Sequence, residues 1–185
     1  RFLNLITSPD GLNIGARRIS LSTCGLPEEM RRLAREGLPV TLSVSLHAPN
    51  DTVRRFLMPI AHRVSMAQLL SACRDYAQVT RRRVVFEYAL IHGVNAAVDQ
   101  ARELARHLAG MLCHVNLIPL NDVPERDLRA ATPQEVAGFR QALENAGISA
   151  TVRREMGADI SGACGQLRAQ YLKNPVGPMW KETSP

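Results

Sequence analysis

The sequence predicts an α/β fold built on a parallel sheet, on two observations. Segments with strand character alternate with helical periodicity four times along the chain, and no two-residue hairpin signal separates any pair of strands. Polar residues also cluster directly after the predicted strands. Because functional groups in βα folds lie just beyond the carboxyl ends of the strands, these clusters predict one shared site.

The first predicted βα unit follows a short helical pattern over residues 1–7, which ends at the turn Ser8-Pro9-Asp10-Gly11. Residues 18–23 alternate as a strand. A helix then begins at Pro27, where proline suits the first turn, and ends at Gly37.

The second predicted strand, residues 40–46, places Val44 and Leu46 on one face and Ser43 and Ser45 on the other. Two helices follow it in the chain. Asn50 is predicted to cap the first, over residues 51–56, and Ser65 to cap the second, which reaches about residue 79.

Three more strands are predicted at residues 83–90, 113–118 and 148–153. Helices over residues 97–108 and 133–146 connect them, and the second begins with the capping box Thr132-Pro133-Gln134-Glu135. We therefore expect residues 1–170 to form one domain. Residues 171–185 are expected to be an irregular tail, since they show no periodicity.

The composition is basic, with a net charge of +6 over 185 residues and arginines that come in pairs and triplets. This balance fits a polyanionic partner such as RNA, but it is equally typical of a solvated, arginine-rich surface. The four cysteines form no CxxC pair, and the chain has no signal peptide and no apolar run that could span a bilayer. We expect a reduced, cytoplasmic protein.

Several polar residues at predicted strand ends are candidates for chemistry. Ser45 and His47 share one face of a strand end and could hold a carboxylate, an amine or a ribose hydroxyl, or form a hydrogen-bonded turn. Glu87 lies inside a strand, so it is either paired or directed into a barrel interior. Cys164 lies between Ala163 and Gly165, where a bulky group could approach the sulfur, although a small buried hydrophobe is the commoner role of a lone cysteine.

Five ordered motifs carry a resemblance to a known family. They are Ile19-Ser20-Leu21-Ser22-Thr23-Cys24-Gly25, Ser45-Leu46-His47-Ala48-Pro49-Asn50-Asp51, Leu57-Met58-Pro59-Ile60, His114-Val115-Asn116-Leu117-Ile118-Pro119 and Ala163-Cys164-Gly165-Gln166-Leu167. Together they closely resemble the RlmN/Cfr family of radical S-adenosylmethionine (SAM) enzymes, which methylate an adenine of RNA. The resemblance runs to about residue 169.

The resemblance implies a partial (βα) barrel of the radical SAM type that lacks its first strands. It implies methylation of an adenine in 23S ribosomal RNA, with SAM and a [4Fe-4S] cluster as cofactors. Members of the family act on carbon 2 or on carbon 8; we expect carbon 2, although the sequence does not decide between them, and transfer RNA is an open second substrate. An electron donor for the cluster is a further implied partner. The residues that match SAM contacts of the family are Ser22, Ser45, Leu46, His47 and Asn121, and Cys164 matches the cysteine that carries the methyl group.

The family's CxxxCxxC cluster motif is absent, as are its Gly-Glu motif and its second catalytic cysteine. We therefore expect a carboxyl-terminal part of such an enzyme, inactive by itself, whose first strand is an exposed edge that favours self-association. Two other hypotheses stay open: a different radical SAM enzyme acting on a small molecule or peptide, and a non-catalytic RNA-binding module.

Overall fold

A computed structural model of the chain describes residues 2–120 and 128–153. These residues form one five-stranded sheet in which every neighbouring pair is parallel and the strands follow the order of the chain. The strands are β1 (Ser20–Thr23), β2 (Thr41–Ser45), β3 (Val84–Leu90), β4 (Cys113–Pro119) and β5 (Ala150–Val152).

Six α-helices accompany the sheet in residues 2–120 and 128–153. They are α1 (Phe2–Thr7), α2 (Pro27–Arg35), α3 (Asp51–Leu57), α4 (Met66–Thr80), α5 (Val98–Leu108) and α6 (Pro133–Asn145). The predicted caps are confirmed: the side chain of Asn50 accepts from the Val53 N–H, and Ser65 and Thr132 each form a complete capping box.

The predicted elements are confirmed, with small shifts at their ends. The first strand begins at Ser20 rather than residue 18, because the 3-10 turn Ala16–Arg18 precedes it. The last strand is shorter than predicted and covers only Ala150–Val152. The predicted boundary near residue 170 lies outside the described residues.

The core lies on one face of the sheet. Along β3, the side chains of Val84, Phe86, Tyr88 and Leu90 are fully buried while those between them are only partly buried. Consecutive parallel neighbours joined by crossovers of one hand carry their helices on the same side. That side is closed by packed aliphatic and aromatic groups, including the Tyr88 and Phe139 rings at 5.0 Å between centroids.

The opposite face of the sheet, which we call the open face, carries most of the polar side chains of the strands, beside apolar ones such as Val85, Ala89 and Ile118. The strand register brings its side chains into rows, with Ser22 beside Ser43 in one row and Ser45, Glu87, Asn116 and Thr151 in the next. A sheet covered by helices on both faces would show continuous apolar strands instead. The open face therefore corresponds to the inside of a barrel that these five strands only partly enclose.

Two further features concern the limits of the sheet. Within the described ranges β1 pairs only with β2, so it is an edge strand, and self-association through it remains a prediction. No helix in the described part of the chain is long and apolar enough to cross a membrane.

Candidate functional site

The carboxyl end of β2 turns sharply at His47. The N–H groups of Leu46 and His47 both donate to the main-chain oxygen of Glu87, at 3.0 and 3.3 Å. His47 then adopts a left-handed backbone with φ of 56°, which is uncommon for a residue other than glycine. The turn lifts the chain out of the sheet directly after Ser45, the last residue of β2.

The His47 ring is held in one tautomer. Its Nδ1 accepts a hydrogen bond from the Ala89 N–H at 3.0 Å, so the proton of the neutral ring is on Nε2. Burial, together with the positive charge of Arg54, lowers the pKa of His47 to about 4. At neutral pH the ring is therefore an uncharged donor through Nε2.

Asn95 fixes this turn from the loop that follows β3. Its side-chain N–H groups donate to the oxygens of His47 at 2.8 Å and Ala89 at 2.7 Å, and its Oδ1 accepts from the Ile91 N–H at 2.7 Å. The Tyr88 hydroxyl donates to the Asn95 oxygen at 2.9 Å. Asn95 is fully buried, so every one of these bonds replaces water.

Sequence reasoning missed Asn95. Its partner at the β2 turn is the main-chain oxygen of His47, 48 residues away along the chain. The spacing of side chains in the sequence does not predict such a contact. Only its place in the loop directly after a predicted strand, where polar groups of βα folds gather, could have marked it.

Arg54 fixes the neighbouring loop, after β1. Its guanidinium is fully buried and donates to the oxygens of Cys24 at 2.9 Å and Val64 at 3.4 Å. Arg54 and Arg55 form one of the arginine pairs that the sequence assigns to a basic surface; for Arg54 that interpretation is wrong, because its side chain is fully buried. Burial lowers its pKa, but an arginine remains charged at neutral pH.

The loop after β1 also depends on Gly25, which has φ of 97°. A Cβ at this position would lie 2.6 Å from Cδ1 of Leu69. Gly25 therefore lets the chain after β1 pack directly on α4, and Arg54 holds the same loop by hydrogen bonds.

The structure brings four of the six predicted site residues to adjacent strand ends. Ser22 is exposed near the end of β1, and Ser45 ends β2, both on the open face. The Leu46 side chain is fully buried in the core, so only its main chain is available to a ligand. His47 follows at the turn. Asn121 and Cys164 lie outside the described residues.

The remaining cysteines show no features of a metal site. Burial raises the pKa of Cys73 to about 12 and that of Cys113 to about 11, so both stay protonated thiols at neutral pH. Across residues 2–120 and 128–153, no three His, Cys, Asp or Glu side chains come together as a metal site. This part of the chain therefore does not provide the ligand set of an iron–sulfur cluster.

Comparison with known sequences identifies close relatives, although no family model matches the chain. Over 172 residues, or 93% of its length, the chain is 51% identical to a protein of Alkaliphilus metalliredigens named as a probable dual-specificity RNA methyltransferase RlmN. A protein of the same name from Pelotomaculum thermopropionicum is 55% identical over 90% of the chain. The matches cover 49% and 46% of these proteins, so the chain spans about half the length of the curated relatives it matches.

Solved structures confirm the fold class. A radical SAM methyltransferase from Sphaerobacter thermophilus has a TM-score of 0.83 and 51% identity, over 87% of this chain and 47% of that one. A domain of pyruvate-formate lyase-activating enzyme from Bacteroides vulgatus has a TM-score of 0.58 at 21% identity, over 73% of this chain and 80% of that one. The second likeness concerns the fold alone. The sheet is thus an open part of a radical SAM βα barrel.

The bonds of Asn95 predict the effect of an isosteric change. In Asn95→Asp, an oxygen replaces the amide nitrogen that donates to His47 and Ala89, and a buried charge is left beside two carbonyls. We expect the free energy of unfolding to fall by about 3–5 kcal/mol, as measured by urea denaturation. The same change at exposed Asn4 is the control and should alter stability by less than about 0.5 kcal/mol. Equal stability of both variants would contradict the role of Asn95.

The low pKa of His47 predicts a specific pH dependence. Histidine in the unfolded chain titrates near pH 6.5, whereas folded His47 titrates near pH 4, so between these values the unfolded state binds more protons. Stability should therefore decrease as the pH falls from about 6.5 to about 4. Relative to His47→Asn, the wild-type protein should lose about 2 kcal/mol of unfolding free energy between pH 7 and pH 5.

The variant His47→Asn keeps an acceptor for the Ala89 N–H and tolerates a left-handed backbone, so it removes mainly the titration. Urea denaturation at each pH measures the effect. His62→Gln, at an exposed site, is the control and should follow the wild-type curve. Parallel curves for the wild-type protein and His47→Asn would show that His47 titrates normally in the fold.

Proposed function

The chain is RlmN-like, and on this premise we propose that it is part of a SAM-dependent methyltransferase that modifies carbon 2 of an adenine in 23S ribosomal RNA. We propose that transfer RNA is a second substrate and that Cys164 carries the methyl group as S-methylcysteine. The observation that carries the proposal is the end of β2, where Ser45 and a neutral His47 stand beside the open face of the sheet.

The strand ends fit SAM as a ligand. The Ser22 and Ser45 hydroxyls can donate and accept, and Nε2–H of His47 is a donor in a fixed direction. Leu46 would contribute its main chain, since its side chain belongs to the core. Asn121 follows the carboxyl end of β4 by two residues in sequence and would complete the set.

When bound, SAM supplies an electrophilic methyl group and, with a reduced iron–sulfur cluster, radical chemistry. Carbon 2 of adenine is electron-poor and does not attack that methyl group directly. A Cys164 thiolate can do so: its sulfur forms a bond to the methyl carbon, the bond to the sulfonium sulfur breaks, and S-adenosylhomocysteine leaves. Cys164 would then present the carbon unit to the base.

The other partners follow from the same proposal. The RNA backbone would be met by exposed arginines that follow the carboxyl ends of strands, such as Arg55 after β2 and Arg153 after β5, within a chain of net charge +6. An electron donor is needed to reduce the cluster, and the ligands of the cluster would come from residues other than those described here. We propose a cytoplasmic enzyme, and we expect these 185 residues alone to be inactive.

The test follows the methyl group to Cys164. The complete gene product is expressed with ample iron and supplied with SAM that carries a deuterated methyl group, and the tryptic peptide of residues 155–168 is analysed by mass spectrometry. We expect one methyl group on Cys164 and methylation of ribosomal RNA. Both should be lost in Cys164→Ala.

Cys24→Ala is the matched control, because Cys24 is an exposed cysteine in the described part of the chain. It should keep the methyl group on Cys164 and the modification of RNA. RNA methylation that persists in Cys164→Ala would overturn the carrier role. A complete protein with an intact cluster that modifies a small molecule and not RNA would overturn the substrate.

A further inference from the structure

A continuous chain of side-chain hydrogen bonds crosses the open face from β5 to β3. Asn116 Nδ2 lies 3.2 Å from Oε2 of Glu87, and Thr151 Oγ1 lies 3.0 Å from Oδ1 of Asn116. Beyond Thr151, His114 Nε2 lies 2.9 Å from Thr151 Oγ1, and His114 Nδ1 lies 2.9 Å from the Ser149 hydroxyl. None of these five residues was assigned a role in binding SAM above.

Each hydrogen bond in this series has only one possible donor and one possible acceptor. A carboxylate only accepts, so Asn116 must turn its NH₂ group towards Glu87 and its oxygen towards Thr151. The single Thr151 hydrogen is then used on Asn116. His114 must therefore donate to Thr151 through Nε2, which leaves Nδ1 of the neutral ring to accept from Ser149. These hydrogen bonds therefore orient the Glu87 side chain through Asn116 on β4 and Thr151 on β5.

Glu87 keeps acceptor capacity after this bond is made. A carboxylate offers about four acceptor positions. Within the described residues, the hydrogen bonds to the Glu87 side chain come from Asn116 alone, and Glu87 takes part in no ion pair. No group of metal-binding side chains surrounds it in the same ranges. An oriented, partly exposed carboxylate on a concave face is suited to a ligand that donates hydrogen bonds.

The position of Glu87 links it to the end of β2. It is the register partner of Ser45, one strand or roughly 4.8 Å away. Its main-chain oxygen also accepts from the N–H groups of Leu46 and His47. A ligand bound at Ser45 and His47 therefore has the Glu87 carboxylate within its own length.

We propose that Glu87 binds a hydroxyl or amino donor of an adenosine unit on the open face, with Asn116, Thr151 and His114 as positioning residues. The inference rests on the proposed function, which supplies two adenosines: the nucleoside of SAM and the target nucleotide of RNA. Both carry ribose hydroxyls or an exocyclic amino group, which donate to a carboxylate, whereas a phosphate would be repelled by it. The group that both adenosines offer to Glu87 is an uncharged hydrogen-bond donor, either a hydroxyl or an amino group.

The experiment measures two dissociation constants on the complete protein with its cluster. Calorimetry gives the affinity for SAM, and filter binding gives the affinity for an RNA oligonucleotide that contains the target adenine. Glu87→Gln keeps the shape and removes the charge. Thr151→Val leaves Glu87 unchanged and removes the hydrogen bond that the Thr151 hydroxyl donates to Asn116. Glu28→Gln, at an exposed site on α2, is the control for the same chemical change.

We expect Glu87→Gln to weaken one of the two affinities by about ten- to a hundredfold, as for a hydrogen bond to a charged group. Thr151→Val should weaken the same affinity by a smaller factor, at an unchanged unfolding temperature, and Glu28→Gln should change neither. Loss of SAM affinity alone assigns Glu87 to the cofactor, and loss of RNA affinity alone assigns it to the target nucleotide. Two affinities within twofold of the wild-type values overturn the inference.

The failure of this inference can be told apart from failure of the proposed function. If the wild-type protein methylates Cys164 and RNA while Glu87→Gln binds both ligands normally, only the role of Glu87 is wrong. If the wild-type protein binds neither SAM nor RNA, both the proposed function and the proposed role of Glu87 are wrong. If Glu87→Gln does not fold, Thr151→Val decides, and unchanged affinities in that variant overturn the inference.

Discussion

Each helix that joins two strands of this chain returns to the same side of the sheet, and that constraint decides which side chains a ligand can reach. Parallel strands in sequential order leave one face for the helices and one face free. Along the strands the side chains alternate between a packed apolar layer and a second layer, which holds polar groups such as Ser45, Glu87 and Asn116 together with a few apolar ones. The separation explains why Leu46 can be a core residue while Ser45, beside it in the chain, stands on the open face.

The strand ends are then fixed by buried polar groups rather than by apolar packing alone. Asn95 holds the left-handed turn at His47 through two main-chain oxygens, and buried Arg54 holds the loop after β1. Buried polar groups of this kind are costly where a bond is missing, and among the described residues Nε of Arg54 has no hydrogen-bond partner. Their effect is to give His47 a single neutral tautomer next to Ser45, with a donor in a known direction.

Much of the fold could be predicted from local sequence signals, since caps such as Asn50, Ser65 and Thr132 and alternating residues such as Val44 and Ser45 act within a few positions of themselves. The motifs also singled out Ser22, Ser45 and His47, which lie at adjacent strand ends and whose contact with SAM stays a prediction. The burial of Arg54 could not be predicted, because its partners are carbonyls of distant loops. The same holds for the contacts of Asn95, which need the end of β2 beside β3. It also holds for the hydrogen bonds that link His114 to Glu87, which need β3, β4 and β5 in register.

The central claim is that SAM binds on the open face at the ends of β1 and β2, and a crystal structure of the complete protein with SAM tests it most directly. We expect the nucleoside to lie over the row of Ser45 and Glu87, with Nε2 of His47 within hydrogen-bonding distance of the ligand. SAM bound on the helical side of the sheet, or bound without contact to Ser45 or His47, would contradict the claim.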